Sequence, residues 1–453
     1  MSVFRAGLLS VAVVVAVCIW SVADGGQTSS EREIQLSPGA ERETPLELLG
    51  LPKPEIAGLR ISGFFVGSYS YNSHIQMVPE FAGGAPALVD AGASGFRFDK
   101  FGLSVSKTFA AWLSAGAAIE VERHRDRHSH GFAPGFGCPG TARCVERFGT
   151  EEPETETNLD KFNLTGIVPL GNGLALSVGR FDTPFGLERH DEPLLLTATT
   201  SEVFQFGRPQ RMTGFQMSYP FTPALDMSVW VVNRWESETT HAGFDDNNRD
   251  KSFGGRIGFT PLPGQELLNV GIGGFWGPER DDVNGPKRWV LDLDFTWTPL
   301  PRLLFAAELI YGGEDTLPIR RRGIPFAAPA AAKGVHWWGS YLLVHYDLYP
   351  WLGLSVRYGI FDDIDAARTG VKQVLQSWTL VPIVHLTRLI PELRPTGATY
   401  ARTRHPIDWV DLKLEYRLNR SNAHVFSDAR PGVDILEAEK TSHQLQLQLV
   451  VNF

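Results

Sequence analysis

Along most of this chain every second residue is apolar, and the residues between carry charges, amides or hydroxyls. In Val410-Asp411-Leu412-Lys413-Leu414-Glu415-Tyr416-Arg417-Leu418 each residue between the apolar ones is charged. Gln444-Leu445-Gln446-Leu447-Gln448-Leu449-Val450-Val451-Asn452-Phe453 sets Gln against Leu and stops at Phe. From Trp289 to Trp297 the odd positions are Trp, Leu, Leu, Phe and Trp, and the even ones Val, Asp, Asp and Thr. Successive side chains of a strand point to opposite faces. One face is therefore wholly apolar and the other polar.

A soluble sandwich alternates as well, with its apolar face inward. Three features point instead to a transmembrane barrel. Aromatics sit at strand ends: Trp289 and Trp297 are about 27 Å apart at 3.4 Å per residue, which matches two girdles around an apolar band about 25 Å tall. The polar faces carry full charges, as a water-filled lumen does. Short connections such as Phe109–Trp112, Pro169–Gly173 and Pro299–Arg302 alternate with long polar loops, the pattern of periplasmic turns and external loops.

The expected fold is all-β, an antiparallel transmembrane β-barrel of about 16 strands. They are placed near 59–72, 96–108, 113–124, 158–168, 174–183, 212–219, 225–235, 252–260, 267–277, 287–298, 303–313, 336–347, 352–361, 375–387, 408–419 and 441–453. One connection, 388–407, falls where a short turn belongs and is long. It is an unusual turn or hides a hairpin, which would make 18 strands.

Composition fits this reading. The chain has 453 residues, with 28 Phe, 12 Trp and 46 Gly, and no apolar run beyond the N-terminus approaches the 18 or more a spanning helix needs. A net charge of −9 with no basic stretch argues against nucleic acid as a partner. At the start, Arg5 followed by the apolar stretch Ala6 to Trp20 and Ser21-Val22-Ala23 reads as a signal peptide, 1–23, cleaved before Asp24. An uncleaved anchor helix is one alternative; a lipoprotein through Cys18 is another, with Val17 ill-suited to the position before it. Residues 24–58, polar but for Leu46 to Leu51, form a periplasmic N-terminal extension, and 59–453 the barrel. Cys138 and Cys144 lie in a Gly/Pro-rich loop, and an even pair in an exported chain favours a disulfide over two free thiols.

The third external loop, 184–211, carries the expected function. A loop folded into a narrow lumen sets which ions pass, because fields are strong there. Asp182, Glu188, Arg189, His190, Asp191 and Glu192 are its constriction candidates; the bland alternative is a solvated surface loop. The lumen-lining positions are Arg60, Lys100, Lys161, Arg256, Arg288, Arg357, Lys413 and Arg417, against Glu120, Glu122, Asp226, Asp292, Asp294, Glu308, Asp411 and Glu415. Charges so balanced would organise a transverse field, or simply brace the wall as salt bridges.

The segment Gly179-Arg180-Phe181-Asp182-Thr183-Pro184-Phe185-Gly186-Leu187-Glu188, followed by Gly207-Arg208-Pro209 and Thr213-Gly214, resembles the OmpL-like β-barrel porins and is similar to a segment of phosphate-selective porins. The likeness is specific over roughly 35 residues and architectural elsewhere. It implies an outer-membrane porin of 16 strands, often a homotrimer, passing ions and small hydrophilic solutes. Phe453 resembles the terminal signal read by barrel-assembly machinery, and outer-membrane lipids would surround the wall. Phosphate selectivity does not follow, since the lining is not a concentration of Arg and Lys.

Other readings are weaker. His124, His128 and His130 are dense enough to bind zinc or copper, but Arg125 and Arg127 between them repel cations and nothing fixes a geometry, so no metal and no cofactor is expected. No Ser or other nucleophile can be placed beside a His and a third group, which argues against an enzyme. The chain has no haem-attachment motif, so the alternative of a sheath around a periplasmic multihaem cytochrome conduit needs a partner to supply the haem.

Overall fold

The computed structural model describes residues 59–76, 95–124, 154–236, 246, 248–261, 268–280, 283–315, 334–393, 408–427 and 439–453. The expected signal peptide, the extension 24–58, the loop histidines His128 and His130, and Cys138 with Cys144 lie outside the described residues.

Sixteen antiparallel strands close a barrel. In chain order β1 to β8 are Leu59–Asn72, Gly95–Ala110, Leu113–His124, Glu154–Val168, Leu174–Asp182, Arg211–Thr222, Leu225–Val232 and Ser252–Phe259. From β9 to β16 they are Leu268–Arg280, Val283–Leu300, Leu303–Glu314, Val335–Tyr349, Leu352–Asp363, Gln373–His385, Val410–Ser421 and Thr441–Asn452. Each strand pairs with its neighbours in sequence, and β1 closes on β16 from Phe64 opposite Asn452 to Asn72 opposite Gln444. A short pair, Ile75–Gln76 with Phe426–Ser427, joins two connections beyond the barrel strands.

The question over 388–407 resolves in favour of sixteen. β14 hydrogen-bonds directly to β15, with His385 opposite Asp411, so no hairpin of the wall lies between them. The chain instead leaves β14 through one helical turn, Leu386–Leu389. Two expectations shift. Loop length is less regular than the alternation implied, because β9 and β10 are joined by only residues 281 and 282. The third loop is 183–210, since Arg211 already belongs to β6.

The burial pattern inverts that of a soluble protein. On β15 Leu414 is 44 % exposed and Tyr416 is equally open, whereas the alternate residues Glu415 and Arg417 are fully buried. On β16 the leucines Leu445 and Leu447 face out and Gln444, Gln446 and Gln448 face in. So wide an apolar belt is a membrane surface. At its edges aromatic side chains pair: Trp289 with Tyr311 at 5.3 Å near one end of the β10–β11 hairpin, and Trp297 with Phe305 at 5.4 Å near the other. Phe453 caps the closure, exchanging backbone hydrogen bonds with Gly63 and stacking on Phe101.

Candidate functional site

Residues 183–210 turn inward from the end of β5 and are held by inward-facing side chains on most of the wall. The loop enters through Phe185, which is fully buried and meets Trp230 edge-on at 5.7 Å. Gly186 then adopts φ +60°, and a Cβ there would lie 1.7 Å from Oε2 of Glu308. Only glycine supplies this handedness without strain and this closeness at once. A Gly186→Val protein is accordingly expected to lose the loop's resistance to protease while still forming a barrel; unchanged resistance would show that the turn tolerates a side chain.

Beyond Gly186 the loop is fastened by charge. The Leu187 amide donates to the Tyr341 hydroxyl at 3.2 Å. Glu188 accepts from Arg357 Nη1 at 2.6 Å and from the amide and hydroxyl of Ser201, so it pins both limbs of the loop to β13. Arg357 donates further to the carbonyls of Thr199 and Thr200. On β15, Glu415 accepts from the amides of Ala198 and Thr199, Lys413 donates to the carbonyls of Glu192 and Leu195, and Arg417 pairs with Glu202 at 2.6 Å. Arg208 pairs with Glu308 at 2.6 Å. Charge-assisted bonds of this kind are roughly twice as strong as neutral ones. Between these ion pairs an apolar turn, Val203–Gly207, packs Phe206 against Phe361 at 5.7 Å, and a Cβ on Gly207 would meet Ile310 at 1.9 Å.

The loop tip crosses to β2, β3 and β4. Lys161 bridges Asp182 and Asp191, both at 2.8 Å. Lys100 reaches Glu192 at 3.3 Å and His190 Nε2 at 2.8 Å, while Glu120 takes Arg211 at 3.0 Å and lies 3.2 Å from His190. Behind the tip, Ser62, Ser104, Glu120, Asp160, Lys161 and Asp191 line a cavity of about 30 Å³, room for a single water. Burial, with Asp182, Asp160 and Glu120 nearby, outweighs Lys161 and pushes Asp191 up to about 7. Burial, with Glu120 and Glu122 nearby, outweighs Lys100 and pushes Glu192 up to about 8. Burial also raises Glu202, but there Arg417 and Arg357 win and hold it below the usual carboxylate range.

The sequence candidates thus divide. Of the six constriction positions, Glu188, Arg189 and His190 are buried, Arg189 turning back onto the carbonyls of Phe185 and Glu188. Asp182, Asp191 and Glu192 keep partial exposure. Of the lining positions, Lys100, Glu120, Glu308, Arg357, Lys413, Glu415 and Arg417 lie under the loop. Arg256 pairs with Asp294 at 2.7 Å beside buried Asp292, Arg288 pairs with Glu314 at 2.7 Å, Asp411 bonds His385, and Arg60 is exposed near the start of β1. Sequence reasoning missed Ser201, Glu202, Arg208 and Tyr341 as anchors; Arg208 alone stood in a recognised motif.

The expectation that no nucleophile, His and third group could be placed together is corrected. His345 Nδ1 lies 2.8 Å from the Ser355 hydroxyl, and its Nε2 lies 3.2 Å from Asp347. Ser355 is fully buried, and the His345–Ser355 contact ties β12 to β13. Among the described residues two groups have donors close enough for a metal, Glu120 with Asp160 and His190, and His385 with Asp408 and Asp411. In the first, Lys100 and Arg211 already supply the cationic charge.

The family model described as "Putative beta-barrel porin-2, OmpL-like" matches residues 115–453. Among solved structures, the outer membrane channel DcaP of Acinetobacter baumannii is similar, with a TM-score of 0.52 and 13 % identity over 88 % of this chain and 99 % of that one. The anion-selective porin from Comamonas acidovorans gives 0.50 and 12 % over 87 % and 99 %, and OprB of Pseudomonas putida 0.50 and 12 % over 87 % and 94 %. At such identities the likeness is one of fold. No curated protein matches the sequence.

Proposed function

This chain belongs to the OmpL-like β-barrel porin family, and from the path of its third loop we propose that the loop's partly exposed acidic edge is the selectivity element of the pore. The protein is an outer-membrane porin, a passive channel for ions and small hydrophilic solutes. Nothing in the family or the fold neighbours favours a sheath around a cytochrome.

The observation that carries the proposal is which charges remain partly open to water after the loop has docked. Glu188, Glu202 and Arg208 are spent on anchoring. Asp182 and Asp191 stay partly exposed around Lys161, and Glu192 and neighbouring Glu122 around the buried Lys100, so four acids share two cations. An acid-rich edge in a narrow, weakly screened passage favours cations, whereas the Comamonas neighbour is described as anion-selective. The assembly we infer is a homotrimer, the form that the family resemblance implies.

Planar-bilayer recording tests both. Purified protein should give stable steps that close in three equal levels at high voltage, and the reversal potential in a KCl gradient at pH 9, above the values to which burial pushes Asp191 and Glu192, should show K⁺ favoured over Cl⁻. Asp182→Asn with Glu192→Gln should move that potential toward zero. Anion preference in the parent, or no shift in the variant, would remove the loop edge from the selectivity mechanism; single-level closure would remove the trimer.

A further inference from the structure

At the end of the barrel away from the third loop, three side chains converge on the rim between β14 and β15. His385 is the last residue of β14 and Asp411 the second of β15, directly opposite in register; Asp408 stands just before that strand. We propose that His385, Asp408 and Asp411 form a binding site for a divalent transition-metal ion of the Zn²⁺ class.

One donor atom from each residue lies within 4.8 Å of the others; an ion of this class would bond to His385 Nε2 and an Asp408 oxygen at about 2.0–2.2 Å, with Asp411 holding the imidazole from its Nδ1 side. All three are buried, at 0 %, 1 % and 3 % exposure. The polar accounting around them is lopsided. A carboxylate only accepts, so the 2.6 Å contact from His385 Nδ1 to Asp411 Oδ1 puts a proton on Nδ1, and in the neutral imidazole Nε2 then carries the lone pair. That Nε2 has no hydrogen-bond partner among the described residues. Asp408 Oδ2 also lacks a hydrogen bond, its neighbour being Arg388 Nε at 3.4 Å. Asn452 donates its Nδ2 to the Asp408 carbonyl at 2.7 Å and keeps a buried Oδ1 without a donor. Every orphan is an acceptor. Buried acceptors that lack donors call for a cation or a water, and an imidazole with two carboxylates selects the zinc class over Ca²⁺ or Mg²⁺, which take all-oxygen shells. The His385–Asp411 pairing is also the carboxylate–histidine arrangement that orients metal-binding imidazoles. Arg388 is the competing cation, and it has a second acceptor in the Pro350 carbonyl at 3.1 Å. A bound ion would tie the exit of β14 to the entry of β15 across the long turn.

The test uses the full-length protein folded in detergent and stripped with chelator, with His124, His128 and His130 changed to Asn in every sample to remove the loop imidazoles. Titration with Co²⁺, read by its visible ligand-field bands, should saturate at one equivalent and be reversed by Zn²⁺. His385→Asn and Asp408→Asn should each weaken binding at least tenfold, and Zn²⁺ should raise the thermal midpoint of the parent but not of the variants. Barrel formation is checked by heat-modifiable gel mobility, with His385→Gln replacing His385→Asn if the latter misfolds. Absence of saturable Co²⁺ binding, or a smaller loss in either variant, overturns the site and leaves a water in the gap.

Discussion

Arg357→Ala is expected to free the third loop from the barrel wall. The fully buried guanidinium joins four loop residues, Glu188, Thr197, Thr199 and Thr200. Its removal leaves Glu188 buried with only the Ser201 amide and hydroxyl for company. Breaking a buried pair by deleting one partner costs about 3–5 kcal/mol, because the remaining charge is uncompensated. The cost falls on the limb that Glu188 and Ser201 share, whose remaining fastenings are the bonds of Lys413, Glu415 and Arg417 at about 1.5–3 kcal/mol each. Single-channel currents should become larger and noisier, and the loop should be cut by trypsin at Arg189 in intact barrels. Arg357→Lys should not restore the parent trace, since a point charge cannot reach acceptors on both limbs as a planar fork does. The double change Arg357→Met with Glu188→Gln removes both charges and should be milder than Arg357→Ala alone. Parent-like current and trypsin resistance in Arg357→Ala would mean that the Lys413, Glu415 and Arg417 contacts alone hold the loop.

The barrel was legible in the sequence because its signal is local. Alternation over nine residues is visible in 410–418 without reference to any partner, and the strands sit within a few residues of their expected places. The anchors were not legible, because each is a pair distant along the chain: Glu188 with Arg357, 169 positions apart, and Glu202 with Arg417, 215 apart. From sequence, Arg357, Glu415 and Arg417 are charges on an aqueous wall. Only the loop's path across the lumen turns them into the loop's fastenings. The His345–Ser355–Asp347 brace is a different case. His345 and Ser355 are register partners across a tight hairpin, so pairing β12 with β13 about the turn at 350 would have brought them together. Residue type alone does not show it, because the partners are set by strand register and not by spacing along the chain. His385 and Asp411 are equally close in space, but the long turn between them gives no register to count from.

Raising the pH from about 5 to about 9 is expected to loosen the loop tip. In the docked loop Asp191 titrates at about 7 and Glu192 at about 8; once released into water both return to ordinary carboxylate values near 4. The docked state therefore holds more protons than the released one between about pH 4 and pH 8. Docking is strongest at the acid end of that window and weakens as pH rises through the two docked values. Lys161 and Lys100 oppose this by attracting the ionised forms. Burial wins together with the acids facing each group: Asp182, Asp160 and Glu120 around Asp191, and Glu120 and Glu122 around Glu192. His190 sits between Lys100 and Glu120 and Arg211 on Glu120 and Asp160, completing the charged surroundings of the tip. The released fraction, read as the frequency of excursions in single-channel current, should grow by at least about tenfold between pH 5.5 and pH 8.5. In Asp191→Asn with Glu192→Gln the two carboxyls no longer titrate, and the excursions should become nearly independent of pH while the parent's outer anchors at Arg357 and Arg417 stay in place. A parent whose excursions decline with rising pH, or a double variant that keeps the parent's slope, would assign the titration to some other group on the wall.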